Sequence, residues 1–235
     1  MTGGDDTGGA RLRLYGRRVG PRLRAAQARR VEATRAELNL AARPRFLAEP
    51  QRLFDEACRS VWLDIGFGGG EHLIWQALRN PDVGLIGCEA FLNGVAKVLA
   101  VIERENLGNI RIHHGDARDV LDLLGDATLD RVFLLYPDPW PKRRHWKRRF
   151  VNAANLASLH RVLRPGGDLC IASDMATYIA WTLTALHRHG GFEWCAKAAS
   201  DWRQRPGDWL KTRYEEKAMA AGRRSAYLNF RRRPD

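Results

Sequence analysis

From about residue 60 onward, short apolar blocks of strand length alternate with longer blocks whose apolar residues recur at helical spacing. Val61-Trp62-Leu63-Asp64-Ile65-Gly66 predicts a strand running into a glycine turn, and Glu71 to Arg79 predicts the helix after it. Val83 to Cys88 predicts a second strand. Leu92 to Glu105 predicts a helix, because Val95, Val98, Leu99 and Ile102 fall on one face. Asn109 to His113 reads as a third strand, followed by a turn at Gly115-Asp116 and a short helix around Val120 to Leu124. The run Val132-Phe133-Leu134-Leu135 is a buried strand stopped by Pro137. A helix over Phe150 to Leu163 should stop at Arg164-Pro165-Gly166-Gly167, where proline and glycine break it. Strand Asp168 to Ala172, helix Ala176 to His189 and two later candidate strands, Phe192 to Ala196 and Ala226 to Arg231, complete the pattern. Strands alternating with helices at this spacing predict an α/β fold with a doubly wound, mostly parallel sheet.

The first fifty residues follow a different pattern. Residues 1 to 10 are rich in Gly and Asp and are expected to be disordered. Arg11 to Arg35 then carries nine arginines against the single acid Glu32, which suggests a basic arm, partly helical, that touches a polyanion or else a solvated tail. Pro44 and Pro50 bracket a connector into the amphipathic segment Gln51 to Arg59. The expected organisation is an arm over 1–50 and one domain over 51–235, since 235 residues suffice for a single large α/β core.

Charge sharpens this picture. A formal net charge of +12 and a pI near 10.2 point to a polyanionic partner, nucleic acid or an anionic membrane surface. No apolar run approaches the roughly 18 residues needed to span a bilayer, and the first residues carry no signal-peptide core, so a cytoplasmic protein is expected. Cys58, Cys88, Cys170 and Cys195 stand singly and read as reduced, packed residues. His113-His114 and His187-x-His189 are weak patterns for a metal, and none is expected.

The candidate chemistry sits where strands end. Gly66-Phe67-Gly68-Gly69-Gly70 places four glycines in five positions, so the backbone can turn tightly and approach a ligand. A dinucleotide enzyme would want a third glycine where Glu71 stands, and a helix N-terminus free of carboxylates for its pyrophosphate. Asp64, Glu89, Asp116 and Asp138 instead line the predicted strand ends with acids. That set suits a ligand without phosphate that carries an ammonium and a sulfonium, namely S-adenosylmethionine, over NAD. Glu89, at the end of the second strand, is placed to accept from both ribose hydroxyls.

Asp138 lies in Tyr136-Pro137-Asp138-Pro139-Trp140-Pro141, a loop that its prolines stiffen. Lys142, Arg143, Arg144, Lys147, Arg148 and Arg149 follow within eight residues. An acid and an indole beside such a run suggest a base-reading site next to a phosphate-gripping surface. The run also fits the solvated first turns of a helix. Trp140 reads either as a base-stacking residue or as a buried loop anchor.

The loop D-I-G-F-G-G-G-E, the run D-P-W-P-K-R-R-H and the late Thr212-Arg213-Tyr214-Glu215-Glu216-Lys217 together resemble the bacterial tRNA guanine-N7 methyltransferases from about residue 60 to the end. The basic stretch at Gly16-Arg17-Arg18 resembles that family's N-terminal arm. The resemblance implies a class I, Rossmann-like methyltransferase fold, S-adenosylmethionine as cofactor, and a guanine of the tRNA variable loop as target. It implies cofactor contacts at Asp64, Gly66, Gly68, Glu89, Asp116 and Asp138, with Asp138 also catalytic. Substrate contacts are implied at Lys142, Asp174, Thr212, Arg213, Tyr214 and Glu215. The chain departs from the family in having Asp64 where Glu is frequent and Ser173 where Thr is frequent.

Guanine N7 carries an in-plane lone pair and no proton, so its alkylation needs positioning rather than a general base. Asp138 or Asp174 could read the N1–H and N2–H₂ donors that distinguish guanine. Two other readings stay open on the residues alone. An adenine-N6 methyltransferase would carry [DNS]-P-P-[YFW], but here Trp140 arrives one position early. A non-enzymatic RNA-binding module could keep a relic of the cofactor fold. A monomer and a homodimer are equally compatible with the sequence.

Overall fold

The computed structural model describes residues 15–16, 18–54 and 58–234. The expected disorder of residues 1–10, the arginines Arg11, Arg13 and Arg17, and residues 55–57 of the amphipathic segment lie outside that set. Nine helices and seven strands are present among the described residues. In chain order they are α1 (Ala25–Ala33), α2 (Pro44–Ala48), β1 (Ser60–Ile65), α3 (Glu71–Arg79), β2 (Val83–Glu89), α4 (Leu92–Glu105), β3 (Ile110–His114) and α5 (Ala117–Leu121). There follow β4 (Leu129–Leu135), α6 (Ala153–Val162), β5 (Leu163–Ser173), α7 (Ala176–His189), β6 (Phe192–Trp194), α8 (Ser200–Arg203), α9 (Arg213–Ala220) and β7 (Ala226–Arg232). The strands form one sheet in the order β3-β2-β1-β4-β5-β7-β6. β1 to β5 are parallel, while β7 runs antiparallel between β5 and β6.

The fold is thus the expected α/β, doubly wound, mostly parallel sheet. Its central strands β1, β2 and β4 are mostly buried, as Val61, Leu63, Leu85, Ile86, Val132 and Phe133 show. Helices cover both faces and divide the core. One apolar cluster joins β1, β4 and β5 to α5, α6 and α7, and a second joins β2 and β3 to α3 and α4. The order reverses at β1, whose neighbours are β2 on one side and β4 on the other. A crevice opens outside the carboxyl ends of the strands at such a reversal.

The structure departs from the pattern in several places, and the strand expected over Phe192 to Ala196 ends at Trp194. The short helix runs over Ala117–Leu121 rather than around Val120 to Leu124, because the Asp116 side chain accepts from Arg118 N at 3.0 Å and caps it. The helix expected over Phe150 to Leu163 begins at Ala153, where the Asn152 side chain accepts from Asn155 N at 3.0 Å. Arg164-Pro165-Gly166-Gly167 does end that helix, yet it bulges within β5, between the paired Leu129–Leu163 and Arg131–Asp168. Gly166 takes φ +80° there. The predicted amphipathic stretch from Gln51 holds only a 3₁₀ turn over Pro50–Leu53 among its described residues.

Part of the basic arm is helical, and it packs on the domain. α1 lies along α4, and Arg30 Nε donates to Glu103 at 2.5 Å. Ahead of it, Asn93 at the start of α4 accepts from Gly20 N at 2.8 Å and donates to the Pro21 carbonyl at 2.8 Å.

Candidate active site

A cleft of about 510 Å³ opens at the sheet's reversal point. Its floor is the turn from β1 to α3. Gly66, Gly68 and Gly70 all adopt left-handed backbone, at φ +72°, +60° and +78°. A Cβ at Gly70 would lie 2.1 Å from a methyl of Val98, so the turn sits directly on α4. The Glu89 carboxylate braces it, accepting from Gly68 N at 2.6 Å through one oxygen and from Phe91 N at 2.8 Å through the other. Burial pushes the Glu89 pKa up, and these two backbone donors partly offset the rise.

Asp116 enters the cleft from the end of β3. It caps α5 and pairs with Arg118, whose Nε lies 2.9 Å from Oδ2. Asp64 stands at the end of β1 but only 2% exposed, beneath the loop rather than in the cleft lining. Its carboxylate faces His72 Nδ1 at 3.4 Å, His72 Nε2 lies 3.1 Å from Gln76 Nε2, and Gln76 donates to the Asp208 carbonyl at 2.7 Å.

Asp138 faces the cleft from the loop after β4. Its flanking residues Tyr136 and Trp140 both hold left-handed backbone, at φ 52° and 42°. Large side chains in that region cost about 1–3 kcal/mol each, so packing elsewhere must hold the loop. The Tyr136 hydroxyl donates to Ser225 Oγ at 2.9 Å, and its ring stacks on Tyr214, 18° from parallel with centroids 6.4 Å apart. Trp140 meets Tyr15 edge-on, and Arg148 lies over both rings. Among the described residues no donor reaches the Asp138 carboxylate, and desolvation raises its pKa.

α9 supplies the remaining wall. Arg213 and Tyr214 line the cleft, and a Cβ at Gly68 would lie 3.1 Å from the Tyr214 ring. Thr212 and Glu215 serve the helix instead. The Thr212 side chain accepts from Glu215 N at 3.3 Å, and buried Glu215 accepts from the Tyr227 hydroxyl at 2.8 Å. Asp174 pairs with Arg223 at 2.6 Å, and Lys142 is exposed at the head of the basic turn; neither lines the cleft. The structure therefore gathers Gly66, Gly68, Glu89, Asp116, Asp138, Arg213 and Tyr214 around one cavity. Asp64, Lys142, Asp174, Thr212 and Glu215 stand behind or beside it.

The basic run is a 3₁₀ turn, Arg143–Arg148, with Lys142, Arg143, Arg144 and Lys147 exposed. Arg149 differs from the rest of the run. It is 1% exposed and packed among aromatic rings at the inner edge of the cleft, apart from the exposed cations of the run. Tyr136, Arg118, Asn152 and Asn155 also line the cleft, and sequence reasoning did not single them out. Tyr136 closes an apolar run and Asn152 opens a helix, so both look structural until the fold brings them together.

A family model described as "Putative methyltransferase" matches residues 58–228. A tRNA (guanine-N(7)-)-methyltransferase of Agrobacterium fabrum is 50% identical over 225 residues, covering 94% of this chain and 95% of its own length. The chain belongs to the tRNA (guanine-N(7)-)-methyltransferase family. Solved structures share the fold at greater distance. The 16S rRNA methyltransferase KamB superposes with a TM-score of 0.57 at 16% identity, covering 80% of this chain and 94% of that one. A 16S rRNA (adenine(1408)-N(1))-methyltransferase variant from Catenulisporales acidiphilia, with cosubstrate SAM, gives 0.51 at 15% identity, covering 81% and 91%. In this family member the matched residues include every strand-end acid described above and the loop that carries Asp138.

The cleft suits the methyl donor of such an enzyme better than a dinucleotide. Glu71 occupies the first turn of α3, where a pyrophosphate would sit, and it lies 3.6 Å from Arg213. Glu89, Asp116 and Asp138 around the glycine turn offer acceptors to hydroxyls and amines, and negative charge to a cation.

Proposed function

We propose that the chain transfers a methyl group from S-adenosylmethionine to N7 of a guanine in the tRNA variable loop, forming 7-methylguanosine. One observation carries the reading. A chain matching a tRNA (guanine-N(7)-)-methyltransferase over nearly its whole length folds Glu89, Asp116 and Asp138 around one cleft. Gly66, Gly68, Glu89 and Asp116 would hold the cofactor, with Asp64 supporting the turn from below. The cofactor supplies an electrophilic methyl on a sulfonium. The protein's task is to align guanine N7 with that methyl and to keep water out.

No proton leaves N7, so Asp138 is not needed as a base. Its carboxylate can accept from N1–H and N2–H₂, or face the positive charge that appears on the alkylated ring. Among the described residues no donor competes for its oxygens. Adenine offers no such donor pair, which disfavours the N6 reading, and the intact glycine turn with its set of acids disfavours a relic binding module. Exposed Lys142, Arg143, Arg144 and Lys147 lie next to the loop and supply the phosphate-gripping surface. A tRNA substrate supports a cytoplasmic location; no described helix is long and apolar enough to cross a membrane.

The test is incubation of the purified protein with methyl-labelled S-adenosylmethionine and an unmodified tRNA transcript, followed by digestion to nucleosides. Label should co-migrate with 7-methylguanosine. Label in N6-methyladenosine, or none in the tRNA, would overturn the reading.

A further inference from the structure

Arg149 is a cation held where cations are costly. Its guanidinium carbon lies 4.7, 5.4 and 5.3 Å from the ring centroids of Trp146, Tyr178 and Trp181. Within this aromatic box Nε donates to the Pro139 carbonyl at 2.9 Å, and Nη1 donates to the Thr177 carbonyl at 3.1 Å. Removing a guanidinium from water is unfavourable, and the ring faces and two carbonyls offset part of that penalty, while Nη2 has no hydrogen-bond partner among the described residues. Trp181 is itself pinned, its indole N–H donating to the Val151 carbonyl at 2.6 Å.

The two carbonyls belong to the two segments that carry the candidate guanine-reading acids. Pro139 follows Asp138, inside the loop whose ends at Tyr136 and Trp140 are strained. Thr177 lies in the first turn of α7, three residues after Asp174. One planar side chain therefore ties the loop after β4 to the start of α7. A lysine has a single nitrogen and lacks the rigid fork that reaches both carbonyls at once.

We infer that Arg149 is a positioning residue for methyl transfer, fixing the Asp138 loop against the α7 entrance so that the carboxylate meets the target guanine in register. This rests on the guanine-N7 reading and concerns kcat rather than tRNA affinity, because the guanidinium is 1% exposed and turned onto the rings and the two carbonyls, at the inner edge of the cleft rather than on the exposed basic surface. The experiment uses the full chain as Arg149→Gln and Arg149→Lys, with S-adenosylmethionine titrated by calorimetry to count competent sites. The rate constant kcat per competent site should fall about 100-fold for Gln, the scale of a misplaced reacting group. KM for tRNA and its salt dependence should stay unchanged, and Lys should recover part of the rate.

Should Gln fail to fold, Lys decides, since it keeps the charge and most of the packing. Full activity per site in the Lys variant would overturn the inference. So would losses in either variant that only track the number of competent sites, the mark of packing alone. A raised KM with a flatter salt slope at unchanged kcat would also overturn it, by making Arg149 a phosphate contact. A wild-type protein that makes no 7-methylguanosine in the same assay would instead strike the underlying reading.

Discussion

Asp138 combines a carboxylate that no donor reaches among the described residues with strained neighbours, and both features have measurable consequences. Burial alone raises its pKa above the ordinary carboxyl range of about 3.9. The folded state therefore disfavours the ionised form, and the resulting penalty to stability appears as pH rises through the unfolded pKa and is complete above the folded one. Asp138→Asn should raise the unfolding midpoint at pH 7, and that gain should vanish below about pH 3, where both states are protonated. The same variant should lose most of its methyl transfer, since an amide offers one acceptor oxygen where the carboxylate offers two. Paired thermal melts and rate measurements across pH check both halves, and a variant less stable than wild type at pH 7 would contradict the sign. The acids were legible in the sequence because each follows a predicted strand or turn, and a strand end is where such a fold puts its ligand. Tyr136 and Arg149 were not. Nothing local says that an aromatic will take a left-handed backbone, or that one arginine of a basic run will turn inward onto three aromatic rings.

At the scale of elements, α9 shows how one motif can carry a structural signal beside the functional one. Thr212-Arg213-Tyr214-Glu215 drew attention as candidate substrate contacts, yet T-x-x-E before a helix is also half of a capping box, a signal available in the sequence. The structure uses Thr212 as the N-cap and turns Glu215 toward Tyr227, which leaves Arg213 and Tyr214 facing the cleft. Thr212→Ala should cost about 1 kcal/mol of stability by loss of the cap. It should also loosen the Tyr214 wall and raise KM for tRNA, whereas Thr212→Ser should behave as wild type. If Ser proves as poor as Ala, the hydroxyl's capping role is not what matters. Helices with steady apolar spacing, α3, α4 and α7, matched their predicted limits. α5 and α6 shifted because Asp116 and Asn152 capped them at positions the apolar pattern does not mark.

For the molecule as a whole, a net charge of +12 called for a polyanionic partner without saying where it would bind. The fold sets exposed Lys142, Arg143, Arg144 and Lys147 beside the mouth of the cleft and withdraws Arg149 into the interior. Changing Arg143 and Arg144 together to Ala should raise KM for tRNA and reduce the slope of log affinity against log salt by about 1–2, one unit per lost phosphate contact. Affinity for S-adenosylmethionine should not move. An unchanged salt slope would return these side chains to an ordinary solvated face. The central claim is narrower than any of these effects: the methyl goes to N7 of guanine. The most direct measurement compares a tRNA carrying guanine in the variable loop with one carrying 7-deazaguanine at the same position, which replaces N7 by a carbon and keeps the donors that Asp138 would read. The guanine tRNA should take up label from methyl-labelled S-adenosylmethionine, and the 7-deazaguanine tRNA should bind comparably and take up none. Equal labelling of the two would contradict the account.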